Sequence, residues 1–117
     1  MNSEEMKRRT KAFALEVIRA VESVPHTLTG WELKRQILRS GTSVGANYRA
    51  ACRARSRAEF TSKLQIAQEE ADETMYWIEL LSESGLVSGE VWKALHRESD
   101  ELTAILTASL ITARGLR

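Results

Sequence analysis

Apolar residues recur along the whole chain at helical spacing, and no stretch competes with the alternating pattern of a strand. Between Ser3 and Val24, the residues Met6, Phe13, Val17, Val21 and Val24 are separated by three, four or seven positions. At ~100° per residue they fall on one face of a helix. Pro25 ends that helix, because proline disfavours helical backbone in the residue before it. Leu15 and Ile18 lie off the face, as scattered surface apolar residues commonly do.

The second helix is expected over 29–54. Thr29 and Glu32 have the spacing of a capping box, with Leu28 and Leu33 placed for a hydrophobic staple. Leu33, Ile37, Val44, Tyr48 and Ala51 form its core stripe, and Arg35, Arg39, Arg49 and Arg53 share the opposite face. Continued as helix, Arg55 would point inward, so the helix should stop near Arg53. The segment Ser40–Gly45 is its weak point, since each interior glycine costs roughly 1 kcal/mol relative to alanine. Its hydroxyls also compete for backbone partners. A break here is one reading; a continuous helix is preferred because the stripe keeps phase across the gap. Gly41 and Gly45, with Leu38 and Cys52, then line a narrow strip where another helix can approach closely.

Ser56 and Glu59 mark the start of a third helix over 56–84, with Phe60, Leu64, Ala67, Ala71, Met75 and Ile78 as its stripe. Gly85 suits a left-handed cap, with Leu86 folding back on Leu81. Ile66, Trp77 and Leu80 form a second apolar set on the far side, interrupted by Glu70 and Glu73; one core cannot bury both sides, so this set reads as a contact surface. The last helix, 88–114, points Val91, Leu95, Leu102, Leu106 and Ala113 inward. Short links force antiparallel neighbours. The predicted fold is all-α, an up-down-up-down four-helix bundle forming a single domain over 1–117.

Composition fits this fold: 43% hydrophobic and 28% charged residues, with one proline and six glycines. Cys52 is the only cysteine, so no intrachain disulfide forms and a reducing compartment is expected. No leader pattern opens the chain, and no apolar run approaches the ~20 residues of a membrane span. A soluble, cytoplasmic protein without a membrane partner is the expectation.

Charge changes the picture more. The net charge is +1, yet Lys34–Lys63 carries eight basic residues against Glu59 alone, and Leu64–Glu101 carries ten acids against Lys93 and Arg97. The two stretches have net charges of +7 and −8.

Motifs for chemistry are missing. His26 and His96 do not follow a glutamate by three, as the Glu-x-x-His pairs of di-iron bundles require. Glu69, Glu70, Asp72 and Glu73 surround their helix rather than converge. Cys52 lies near Arg49 and Arg53, which would lower a thiol pKa, but no histidine is tied to it and a packed cysteine is the simpler reading. Ser40–Ser43 matches neither a nucleophile elbow nor a phosphate loop. No catalytic residue, cofactor, metal site or small-molecule substrate is expected. Arg35, Arg39, Arg49, Arg53, Arg55 and Arg57 have three readings: a phosphate-binding face for RNA or DNA, a solvated face paired with carboxylates, or a docking surface for the acidic half of another copy.

The run Arg39-Ser-Gly-Thr-Ser-Val-Gly-Ala-Asn-Tyr-Arg49, the following Ala-Cys-Arg-Ala-Arg-Ser-Arg-Ala-Glu-Phe, and the Ile66-Ala67 and Tyr76-Trp77 neighbourhoods resemble one family. It comprises the four-helix-bundle proteins first noticed as products of intervening sequences in bacterial 23S ribosomal RNA genes. The resemblance covers about the middle half of the chain. Many members carry glutamate where this chain has Ala50. It implies a homopentameric ring and no enzyme activity. It also links the chain to accessory proteins of diversity-generating retroelements, whose similar rings bind nucleic acid and a reverse transcriptase.

A ring needs a head-to-tail interface between two different patches. The strip of Leu38, Gly41, Gly45 and Cys52, or the set of Ile66, Trp77 and Leu80 with Glu70 and Glu73, is expected to supply it. Two functions follow: a ring-shaped interaction scaffold, or a nucleic-acid adaptor using the arginines of the second helix and the turn after it.

Overall fold

The computed structural model describes residues 1–115; Leu116 and Arg117, the last two of the expected domain, lie outside the described residues. Four helices account for most of them, and no strand occurs among them. They are α1 (Ser3–Ala20), α2 (Leu28–Cys52), α3 (Arg57–Glu83) and α4 (Glu90–Ala113), with a single 3₁₀ turn at Val21–Ser23 extending α1. At ~1.5 Å rise per residue, the 27 residues of α3 span about 40 Å, matching a molecule measuring 44 × 22 × 21 Å. Each helix packs mainly on the next, while α1 and α4 touch only lightly. The bundle is antiparallel, with one open seam.

The core follows the apolar stripes. Met6, Phe13, Val17, Val21 and Val24 are all buried, as their spacing requires. Ile37, Val44 and Ala51 on α2 meet Leu64, Ala67, Ala71, Ile78 and Leu81 on α3 in one cluster with Leu95, Leu102, Leu106 and Leu110 of α4. Leu33, Tyr48, Phe60 and Ala113 pack partly against it. Four hydroxyl residues, Thr10, Ser40, Thr74 and Ser99, are also fully buried. Each hydroxyl has a partner: Thr10 bonds the Met6 carbonyl and Ser99 the His96 carbonyl, while Thr74 donates to Ser40 at 2.8 Å.

The glycine segment is continuous helix. Thr42 and Ser43 donate to the carbonyls of Leu38 and Arg39, one turn back. A Cβ on Gly41 would stand 3.0 Å from both Val17 methyls, and one on Gly45 3.1 Å from Thr10 Oγ1. The absent side chains let α1 close onto α2, which compensates for the propensity lost there.

Helix ends depart from expectation twice. Helix α2 is capped by Thr27, which accepts from Gly30 N–H at 3.0 Å, not by Thr29. Leu28 is 90% exposed, so the staple with Leu33 does not form. The cause is the Pro25 turn: the Pro25 carbonyl lies 2.1 Å from where a Cβ on residue 30 would be, so only glycine fits in the first turn there. Helix α4 starts after Gly89, whose φ is 107°, rather than at Ser88. Its inward face keeps Leu95, Leu102 and Leu106 as expected but opens on Trp92, which is buried, while Val91 is 55% exposed. The Ser56 cap holds, accepting from Glu59 N–H at 3.0 Å. Gly85 takes a left-handed φ of 83°, and the return goes one residue further, from Val87 N–H to the Leu81 carbonyl. No helix of the described residues is long and apolar enough to cross a membrane.

Candidate functional site

The six arginines singled out by sequence do not act as one face. Arg39, at mid-bundle, reaches across to α3 and pairs with both Glu70 and Glu73, and Trp77 Nε1 donates to the same Glu73 carboxylate at 3.1 Å. Glu70 is the more sequestered partner, with 15% of its side chain exposed. Charges read as poles for a neighbouring copy thus meet within one subunit. Arg35 pairs only with Glu32 on its own helix, at 3.4 Å. Arg57 donates to the Ala113 carbonyl at the end of α4. A cation there complements the partial negative charge of the helix C-terminus.

Arg49, Arg53 and Arg55 remain exposed and make no ion pair among the described residues. Antiparallel packing puts the end of α2 and the start of α3 beside the start of α1. Gly45 of α2 lies against Thr10 of α1, which fixes that register. The α1 side brings Lys7, Arg8 and Lys11. Together with Arg49 they border a groove of about 390 Å³ between α1 and α2, whose remaining lining is Glu4, Ala14, Thr42, Gly45 and Ala46. Lys7 is tied to Glu4 at 3.0 Å, whereas Arg8 and Lys11, like Arg49, have no carboxylate partner among the described residues. The adjacent Arg9 turns the other way, to Glu98 and Glu101 of α4.

Arg8 and Lys11 were missed from sequence. Their signal was available, since both lie off the stripe of Met6, Phe13 and Val17, and Gly41 and Gly45 required a nearby helix. Taking that helix as a second subunit hid its identity as α1.

The two expected interface strips fare differently. Gly41 is buried and Gly45 half-buried against α1 of the same chain, and Leu38 packs partly on the core. The close approach read as a subunit contact is therefore internal. Cys52 is half-buried beside Tyr48. Burial, with the Cys52 thiol and the Glu4 carboxylate nearby, pushes the Tyr48 phenol up to about 12. On α3, Ile66 and Leu80 are half-buried, Trp77 packs partly on the core, and Tyr76 is 54% exposed with its ring 5.4 Å from that of Trp77 in an edge-on arrangement.

His96 Nε2 lies 2.8 Å from Glu79 across α3 and α4, beside a shallow groove. His26 instead stacks obliquely near Trp31, over which Lys34 also sits. No group of three metal-ligating side chains converges among the described residues.

A crystal structure of a protein with unknown function from the S23 ribosomal protein family of Bacteroides thetaiotaomicron VPI-5482 has the same architecture. It superposes with a TM-score of 0.85 at 35% identity, covering 94% of this chain and 98% of that one. No curated protein matches the chain. The family model described as 23S rRNA-intervening sequence protein matches residues 3–108. By that match, which spans nearly the whole bundle, the chain belongs to the 23S rRNA-intervening sequence protein family.

Proposed function

We propose that this chain is a non-catalytic cytoplasmic protein that binds nucleic acid through the basic end of its bundle. The observation that carries this reading is the set Arg8, Lys11, Arg49, Arg53 and Arg55, gathered from two helices and the turn after α2, with no carboxylate partner among the described residues. Several other arginines are matched to carboxylates, as at Arg9, Arg39 and Arg97. Unpaired guanidinium groups on three adjacent elements match the charge density of a phosphate backbone and release its counterions. Binding of this kind is sequence-tolerant and salt-sensitive. Fluorescence anisotropy of a labelled RNA, titrated across potassium chloride, tests it. A steep negative dependence of log affinity on log salt is expected, and replacing Arg53 and Arg55 by glutamine should lower the slope by about 2. Absence of binding at low salt overturns the reading.

A second reading, self-association into a ring-shaped scaffold of five copies, is favoured by the α3 surface. Tyr76 is exposed beside half-buried Ile66, Trp77 and Leu80, and exposed aromatic residues are enriched at interfaces. Light scattering at micromolar concentration tests it: a monomer mass removes it. Should a larger species form, Tyr76→Glu is expected to dissociate it.

A further inference from the structure

We infer that the groove between α1 and α2 seats a single, unpaired nucleic-acid strand, an inference that rests on the nucleic-acid reading above. The groove combines two features that a merely solvated basic surface lacks. Its rim carries Arg8 and Lys11 on one wall and Arg49 on the other, none of them matched to a carboxylate among the described residues. The rest of its lining is the small residues Ala14, Thr42, Gly45 and Ala46, together with the Glu4–Lys7 ion pair. At about 390 Å³ it falls in the ordinary range of ligand sites, roughly 300–1,000 Å³.

The depth comes from the same glycine contacts that build the fold. Gly45 sits against Thr10, and Ala46, one position on, is exposed and carries only a methyl group into the opening. A duplex presents its phosphates on a convex surface and keeps its bases stacked inside. An unpaired strand uncovers sugars and base edges as well as phosphates, so it can use both the cations and the small side chains between them. Strands held without sequence preference are bound in such basic troughs, usually with added aromatic stacking. Both strongly exposed aromatic side chains, Trp31 and Tyr76, are absent from the lining, so the strand is held through its phosphates and sugars rather than by stacking.

The test separates the groove from the general charge of the end. Ala46→Phe fills the trough at an exposed helical position and leaves net charge unchanged. Anisotropy with a labelled oligothymidine of about 20 nucleotides, longer than one binding site, is compared with the matching duplex for wild type, Ala46→Phe and Lys11→Glu. Folding of each variant is checked by its circular-dichroism melt. The strand is expected to bind wild type several-fold tighter than the duplex, and each substitution is expected to weaken it about tenfold, about 1.4 kcal/mol. Should Ala46→Phe melt early, Lys11→Glu still decides: loss at the groove weakens the strand more than the duplex, whereas loss of general charge weakens both alike and overturns the groove. Strand binding that Ala46→Phe and Lys11→Glu leave unchanged, or equal affinity for strand and duplex, overturns the groove while leaving binding by the basic end intact. Wild type that binds neither overturns both.

Discussion

Arg9 of α1 grips Glu98 of α4 with two guanidinium nitrogens, Nε and Nη2, each 2.7 Å from a separate carboxylate oxygen. Glu101 adds a third contact at 3.3 Å. The fork spans the seam where the helices touch least, beside a groove of about 500 Å³ lined by Ala12, Phe13, Val91 and Leu95 among others. The carboxylates hold the Arg9 guanidinium even more firmly protonated than usual. Both partners keep about a quarter of their side chains exposed, 24% and 29%, so the pair is neither a free surface contact nor a buried one. Replacing Arg9 by methionine is expected to cost about 1 kcal/mol, more than a typical exposed pair and less than a fully buried one. A cycle with Glu98→Gln, read by urea denaturation, should give a coupling of similar size that shrinks in high salt. Additive single effects would show that the seam is held by packing alone.

Seams of this kind explain what sequence could and could not disclose. The stripe of Met6, Phe13, Val17, Val21 and Val24 was legible because helical periodicity alone decides which face is apolar. Gly85 was legible because its left-handed φ is a local requirement. Pairings such as Arg39 with Glu70, 31 positions apart, depend on how two helices slide past each other, which no local pattern records. Thr27 and Thr29 are equivalent as caps until the Pro25 carbonyl folds onto Gly30. Val91 and Trp92 lie four and three positions before Leu95, so periodicity alone allows either to face inward, and packing chooses Trp92. The candidate site was half visible: the α2 arginines stood out, while Arg8 and Lys11 joined them only once α1 was known to fill the glycine strip.

Gly30 offers a sharp test of that turn. Alanine is the better helix former by about 1 kcal/mol, so propensity alone predicts stabilisation. The added Cβ would lie 2.1 Å from the Pro25 carbonyl oxygen, a backbone atom that cannot rotate away. Gly30→Ala is therefore expected to destabilise by about 2–3 kcal/mol, as overpacking does, measured as a lower urea midpoint. A midpoint equal to wild type would mean that the Pro25 turn relaxes freely.

The buried hydroxyls of Ser40 and Thr74 make a pair whose members should be worth more together than apart. Thr74 Oγ1 lies 2.8 Å from Ser40 Oγ and 2.7 Å from the Glu70 carbonyl. Thr74→Val strands the Ser40 hydroxyl in the core and is expected to cost about 1–3 kcal/mol. The double variant Ser40→Ala, Thr74→Val removes both polar groups and should recover most of that loss. Equal destabilisation of the single and double variants would assign the cost to packing.

Tyr48 is expected to link folding to alkaline pH. Its folded-state pKa of about 12 stands above the ordinary value of 10.0, chiefly because burial disfavours the phenolate, with Cys52 and Glu4 adding to it. Below the ordinary value the phenol is neutral in both states, and the stability linked to it is fully present. As pH rises from 10.0 towards 12, the unfolded chain loses the proton first and stability falls. Solvent at the half-buried ring limits the loss to roughly 1–2 kcal/mol. Urea denaturation at a series of alkaline pH values should show this decline in wild type. Tyr48→Phe, which keeps the ring and removes the titrating oxygen, should flatten it. If both proteins lose stability in parallel, the alkaline limit belongs to other groups and the phenol is a bystander.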